Sequence, residues 1–518
     1  MSFNTSVAQS ESDVLKKANK LMSYNFPDTY KSALDLLIGL DEKSNGNNPV
    51  YRYKIAVCYL NTNVNKQKSL EYLLSIMKNR NEFGYGFYYY LGQAYHYSYK
   101  FDEAIASFNQ FLQLARRKDR RKFEVYRAIE ICKTSKAMQN NPLDVDILNL
   151  GSVVNSNGSD NTPVISADES LLLFTSRREG CIGGKMDVFG QEDKENGEFF
   201  EDIFISYKVR GNWLKPMNIG SHINTKVHDA VIGLSHDGQK MYIYKSDNKG
   251  MGNIYVSHLK GDRWTKGEKL PAPINSDYWE GSCSITPDGN TIYFASNRPG
   301  GYGGKDIYKS KRRSDGSWSE PENLGPSVNT LSNEDAPFIH VDGKSLYFSS
   351  KGHDNMGGYD IYKSQFKNGA WSQALNMAYP INTVEDDINF VLSADGQRGY
   401  YSVTRENGMG EQDIYMVDLK NEESLKPSPV TLLKGKVTGA KGEIPQQTKI
   451  HIQDQSGNEF AVYTVNEVSG KYLVVLPELG KYKLKVVSPG YKEYWFDLNV
   501  NLKDTQKPLK QNFLLYKL

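Results

Sequence analysis

A triplet of Asp or Asn, then Ile, then an aromatic residue recurs five times along this chain, and no other feature restricts its fold as strongly. It stands at Asp202-Ile203-Phe204, Asn253-Ile254-Tyr255, Asp306-Ile307-Tyr308, Asp360-Ile361-Tyr362 and Asp413-Ile414-Tyr415, at intervals of 51, 53, 54 and 53 residues. Trp213, Trp264, Trp318 and Trp371 follow the first four copies, and eleven residues after each comes Asn224, Asn275, Asn329 or Asn382. Thirteen residues further on stand Asp237, Asp288, Asp342 and Asp395, each followed by Gly. Spacing held this closely through four copies marks one structural unit repeated in series.

Within a unit the chemistry is that of antiparallel strands. Thr286-Pro287-Asp288-Gly289 and Ser393-Ala394-Asp395-Gly396 are tight-turn sequences, and Ile292–Ser296 and Leu346–Ser350 are the strands that follow two of these turns. A unit of about 53 residues holds roughly four strands, the size of a propeller blade. After the fifth triplet the Trp and Asn elements are missing, yet Asn149-Leu150-Gly151-Ser152-Val153-Val154-Asn155-Ser156 matches Asn323–Thr330 and lies upstream of the first unit. The expectation is a five-bladed β-propeller over residues 145–420, closed by segment 149–156, which leaves no open sheet edge.

The flanks differ in period. Residues 11–140 carry helical spacing, and Tyr88, Leu91, Gly92, Tyr95, Ala104 and Phe108 sit at the spacings of a tetratricopeptide repeat (TPR), so a TPR-like α-solenoid is expected there. After a polar linker at 421–429, residues 430–502 alternate in short runs such as Lys449–Ile452 and Tyr482–Val486, the pattern of a small β-sandwich of roughly seven strands. Residues 503–518 read as a tail. The whole is a multidomain α + β chain.

Composition narrows the function. With 63 basic against 61 acidic residues, neither nucleic acid nor an anionic membrane surface is the expected main partner. Cys58, Cys132, Cys181 and Cys283 have no metal-site spacing, and no apolar run is long enough to span a membrane. Ser6-Val7-Ala8 before Gln9 resembles the end of a secretory signal without its basic and apolar parts. No metalloprotease motif, nucleophile elbow or P-loop is present, so the expectation is a non-enzyme with no catalytic residues, no cofactor and no metal. Gly300-Gly301-Tyr302-Gly303-Gly304 reads as a tight loop, with Asp306 and Asp360 bonding loop backbone and not a cation.

The repeat resembles the PD40 (TolB-type, WD40-like) propellers through its Asp-Gly turn and Asp-Ile-Tyr strand. The last module looks like a carboxypeptidase regulatory-like domain through Gly435-Lys436-Val437, Leu476-Pro477, Gly480-Lys481-Tyr482 and Gly490-Tyr491. Helices, propeller and regulatory-like domain in that order are similar to the PorE-like, OmpA-family proteins of the type IX secretion system. That resemblance implies a periplasmic scaffold associated with the outer membrane, binding secretion or gliding components. Those relatives continue into an OmpA-type domain with no counterpart here, so peptidoglycan binding passes to no residue of this chain. A glycan or peptidoglycan-fragment binder using the propeller mouth is the alternative, and a propeller hydrolase a distant third.

Two sets of residues are candidate partner contacts. By analogy with TPR grooves, Tyr53, Tyr89, Gln93, His96 and Tyr97 would line a concave surface. The first unit also spans 34 residues from Asp168 to Asp202, against 16 to 18 in the others, and the excess includes Glu192, Asp193, Glu195 and Glu198. That acidic insertion is either a solvated loop or a partner- or cation-binding one.

Overall fold

In the computed structural model, residues 10–194, 197–246, 251–505 and 507–518 are described, and they form two compact units. The first contains the residues up to 141 together with 188–191, and the second contains 142–187 and 192–518.

The first unit is helical: α1 (Glu11–Ser23), α2 (Pro27–Lys43), α3 (Pro49–Asn61), α4 (Lys68–Ser75), α5 (Gly86–Tyr97), α6 (Phe101–Leu114) and α7 (Arg121–Gln139). Local chemistry sets the starts. Ser10 caps α1 by accepting from the Asp13 N–H, Asn48 caps α3 by accepting from the Val50 N–H, and Pro27 and Pro49 occupy first turns where no N–H is needed. Leu34, Leu37, Ile55 and Tyr59 fill the core of the first three helices. Gly92 lets α5 lie against α6, since a Cβ there would stand 2.5 Å from the Phe108 ring.

The second unit contains five antiparallel sheets, one for each repeat. Their first strands are β1 (Asp160–Ile165), β2 (Asp229–Leu234), β3 (Glu280–Ile285), β4 (Glu334–Ile339) and β5 (Ile388–Leu392). Each packs against the first strands on either side, and β5 packs back on β1, so the five form a closed cycle. The outer strand of the fifth sheet comes from upstream: Asp146–Asn149 pairs antiparallel with Asp413–Asp418, Asn149 facing Tyr415.

The repeated letters hold the sheets together. Asn155, Asn224, Asn275, Asn329 and Asn382 imitate a strand, each accepting from the N–H of a triplet Ile at 2.7–2.9 Å and donating to its carbonyl at 2.8–3.0 Å. A carboxylate opens four of the first strands and precedes β5. Asp160, Asp229, Glu280, Glu334 and Asp387 each accept from a Ser or Thr hydroxyl four residues upstream at 2.7–2.9 Å. The triplet Asp binds loop backbone: Asp360 accepts from the Met356 N–H at 2.8 Å, and Asp306 from the Gly303 N–H at 3.1 Å. These bonds satisfy polar groups that burial would otherwise leave unpaired.

The C-terminal module has two sheets around one core that includes Val437, Ile450, Tyr463, Val474, Leu484 and Phe513. Residues 503–518, expected as a tail, are not one. Leu509–Lys510 and Phe513–Leu515 pair parallel with Thr431–Gly439, and Phe513 is buried. The expected linker is also pinned, since the Tyr347 hydroxyl donates to the Leu425 carbonyl at 2.7 Å and the Lys363 ammonium to the Lys426 carbonyl at 2.6 Å. The module closes on the Asp-Gly turn end of the sheets. Val430, Leu432, Leu473 and Val475 cluster with Ala167, Val341 and Ala394, and Lys434 pairs with Asp168 at 2.9 Å.

Candidate functional site

All five first strands contribute to the wall of one cavity of about 260 Å³. Each of these strands carries a register shift against its neighbour, a bulge that re-aims side chains. In three of them the bulge puts a residue with a side chain in the left-handed region: Thr162 at φ 50°, Ala336 at 50° and Asn389 at 62°. For Thr, branched at Cβ, that conformation is costly, and Ala has no side chain to compensate it locally. Neighbouring strands hold the distorted backbone in place. The Ser402 hydroxyl accepts from the Thr162 N–H at 3.0 Å and the Ser282 hydroxyl from the Ala336 N–H at 3.1 Å.

At the strand-start end of the cavity stand Trp279, Tyr244, Thr162, Asn389 and Asp335. Trp279 lies over Gly281, where a Cβ would fall inside its ring, and the Lys305 ammonium sits 3.6 Å from the ring centroid. The same ammonium pairs with Asp335 at 2.9 Å, and the Ser282 hydroxyl donates to Asp335 at 2.6 Å. Asn389 donates to the Thr162 hydroxyl at 3.2 Å. The opposite end is walled by Ala167 and Val341, which pack on the C-terminal module.

Burial keeps two titratable groups of the cavity wall, His236 and Cys283, in their neutral forms. His236 Nε2 faces the Ile285 carbonyl at 2.8 Å and so carries the proton, and burial, with His340 nearby, lowers its pKa to about 4. Burial pushes the Cys283 thiol far above its ordinary value. A thiol in that state is a small apolar group, not a nucleophile.

The helical candidates fall into two groups. Tyr53 stacks on Phe83 at 4.2 Å and meets Tyr90 edge-on at 5.9 Å, while Tyr89 meets Tyr90 at 5.2 Å and donates to Glu124 at 3.0 Å. Tyr90 thus joins the two into one aromatic array. Arg121 completes it, 5.4 Å from the Tyr89 ring, with Asp119 accepting two of its N–H groups and held at a pKa of about 2 by those bonds. Further along α5, His96 is buried with Nδ1 3.4 Å from Cys132 Sγ, Gln93 is half-buried, and Tyr97 lies under the Lys66 ammonium at 4.8 Å. Repeat spacing does not single out Tyr90 or Arg121. The sequence signal for Arg121 is its place beside Asp119 in a dense basic run.

The acidic insertion is a small hairpin, Lys185–Met186 pairing with Glu198–Phe199. Arg177 pairs with Glu198 and Glu201, each at 3.3 Å, Glu192 pairs with Lys194 at 3.2 Å, and the Asp193 carbonyl accepts from the Gly197 N–H. Glu195 lies outside the described residues. Val188 and Phe189 belong to the helical unit, Val188 packing on the core of the first three helices and Phe189 meeting Tyr24 edge-on at 5.5 Å. Among the described residues no group of three or more His, Cys, Asp or Glu could hold a metal ion, and no helix is long and apolar enough to cross a membrane.

No family model matches the chain, and no curated protein does. Among solved structures it is similar to TolB from Acinetobacter baumannii at 17% identity, over 51% of this chain and 56% of that one, with a TM-score of 0.32. The match therefore spans little more than half of that TolB. A putative TolB from Agrobacterium tumefaciens is similar at 14% identity over 71% and 92%, TM-score 0.31. A family-43 β-xylosidase/α-arabinofuranosidase from a compost metagenome is similar at 11% over 54% and 95%, TM-score 0.36. Likenesses this shallow assign no activity, and the architecture above rests on strand pairing alone.

Proposed function

We propose that this chain is a non-enzymatic scaffold or adaptor: a TPR-like helical array, a five-bladed PD40-like propeller and a carboxypeptidase regulatory-like sandwich. On this reading it works in the periplasm at the outer membrane and binds protein components of a type IX secretion or gliding machinery. The observation that carries a binding role is the cavity wall. Thr162, Ala336 and Asn389 hold left-handed backbone at equivalent bulges around one concave site. Such strain persists where the surroundings enforce it, and it gathers at ligand sites. The fixed charges beside Trp279 suit a peptide segment, whose amides and side chains can answer both Lys305 and Asp335.

A glycan-binding role is the second reading, favoured by the aromatic pair Tyr244 and Trp279, with ring centroids 6.4 Å apart. Against it, Lys305 already covers a face of Trp279 that a sugar would stack on.

The test is an affinity pull-down from detergent-solubilised cell envelopes with wild type, Trp279→Ala and Asp335→Asn. Secretion or outer-membrane proteins recovered by wild type and depleted at least fivefold with either variant support the scaffold. Equal recovery by all three removes the cavity from the reading. Binding of soluble saccharide by wild type, lost in Trp279→Ala, transfers the site to the glycan reading.

A further inference from the structure

From the α6–α7 turn into the first turn of α7 the chain reads Arg116-Arg117-Lys118-Asp119-Arg120-Arg121-Lys122, six basic residues in seven positions. Arg116, Arg117, Lys118 and Arg120 are exposed. The one acid in the run is occupied, because Arg121 holds Asp119 through two side-chain hydrogen bonds of 3.1 and 2.7 Å. The location compounds the repulsion. Arg120 is the N-cap of α7 and Arg121 its first residue, so the cations gather at the positive end of a helix dipole. The first turn of α7 holds one acid, Glu124, which accepts from the Tyr89 hydroxyl at 3.0 Å, whereas α1 and α6 begin with two each, Glu11 and Asp13 in one and Asp102 and Glu103 in the other.

Apolar side chains stand exposed beside this charge. Phe123 is 82% exposed, Tyr126 60% and Leu114, the last residue of α6, 51%. Phe123 and Tyr126 are three residues apart on α7 and share a face. An exposed turn that concentrates positive charge next to protruding aromatic and aliphatic groups has two unmet demands, a counter-charge and a place out of water.

We infer that this corner of the helical unit docks on an anionic lipid surface. The cations meet headgroup phosphates, and Phe123, Tyr126 and Leu114 enter the interface between headgroups and acyl chains. A lipid interface answers both demands at once, with phosphates for the cations and an interfacial region for the aromatic and aliphatic side chains. The near-neutral total charge does not oppose this, since a surface about one Debye length away responds to the local cluster.

The experiment is sedimentation of the full chain with phosphatidylcholine vesicles and with vesicles containing about 30% phosphatidylglycerol, at low and high salt. Binding is expected only to the anionic vesicles and is weakened by salt. Each cation removed costs about fivefold in partitioning, so Arg116→Ser/Arg117→Ser/Lys118→Ser costs about a hundredfold. Phe123→Ser costs about tenfold. These positions are exposed, and unchanged circular dichroism verifies that the variants fold. Failure to bind anionic vesicles, equal binding to neutral ones, or binding untouched by the triple variant overturns the inference. Patch-dependent binding of soluble polyglutamate or of an oligonucleotide, without vesicle binding, assigns the cluster to that partner and overturns it too.

Discussion

Asn382 offers the sharpest test of how the ring is held. Its side chain is fully buried, accepts from the Ile361 N–H at 2.7 Å, and donates to the Ile361 carbonyl at 2.9 Å and to Asn376 Oδ1 at 2.8 Å. In Asn382→Ala, Asn376 Oδ1 keeps a donor, the Ala378 N–H at 2.7 Å, so its loss is small. The Ile361 N–H loses its partner inside a residue that is itself buried, whereas the Ile361 carbonyl keeps the Met377 N–H at 3.0 Å. One buried polar group left without a partner costs about 1–3 kcal/mol, so the substitution should cost about 2 kcal/mol. Asn382→Leu restores the volume and not the bonds, and should cost about as much.

Amide hydrogen exchange across Asp360–Lys367 and urea unfolding followed by tryptophan fluorescence read the effect locally and globally. Protection at Ile361 should fall about thirtyfold in both variants, since about 1.4 kcal/mol is a factor of ten. Recovery in Asn382→Leu would mean that packing, not pairing, is the role of this Asn. A loss below about 1 kcal/mol in both would refute the strand-mimic account for all five positions.

Three further outcomes follow from the same structure. Burial raises Asp360 to a pKa of about 7, so the stability it contributes is present below the ordinary carboxylate range and is lost as pH rises through 7. Asp360→Asn, with Asn253 already filling that place in the second sheet, should be near neutral at pH 6 and should remove this decline in urea midpoints between pH 4 and 8. His236 has the opposite sign. With a folded pKa of about 4 its contribution is present above about 6.5 and lost on acidification towards 4, on the order of 3 kcal/mol in full, and His236→Gln should flatten that limb. Gly92→Ala forces a Cβ onto the Phe108 ring and should cost the helical unit about 1–3 kcal/mol in thermal melts followed at 222 nm.

The ring was legible because its repeated letters do backbone work that few residues can do. An Asn that both donates to and accepts from the backbone of one residue cannot drift to Asp, Ser or Gln without losing a bond or its reach, so spacing survives where strand residues vary. The same logic reached across the chain. Asn149 and Asn155 could be placed beside Tyr415 and Ile414 because they stand six residues apart, as Asn323 and Asn329 do. The second sheet shows the tolerance, with Lys269 in the first of these places and Asn275 turning instead to the Leu270 carbonyl at 2.7 Å. Residues 503–518 hid their strands because runs of two and three residues carry no periodicity, and their parallel partner lies 76 positions upstream.

The site was less legible, for reasons that differ by residue. Tyr53 and Tyr89 follow from repeat spacing, but Tyr90 joins them only once α3 and α5 pack, a tertiary fact no local pattern encodes. At the cavity a local signal did exist. Pro163 and Pro337 sit inside first strands that otherwise look continuous, and a proline there marks a bulge, because it removes a ladder donor. Asn389 gives the same left-handed bulge with no proline beside it, so the motif alone would have found two of the three. The basic turn was hidden by averaging: 63 against 61 charges describe the whole chain, while a docking surface answers to seven consecutive residues. Charge counted over windows the size of a contact, and not over the molecule, singles out Arg116–Lys122 from its amino acids alone.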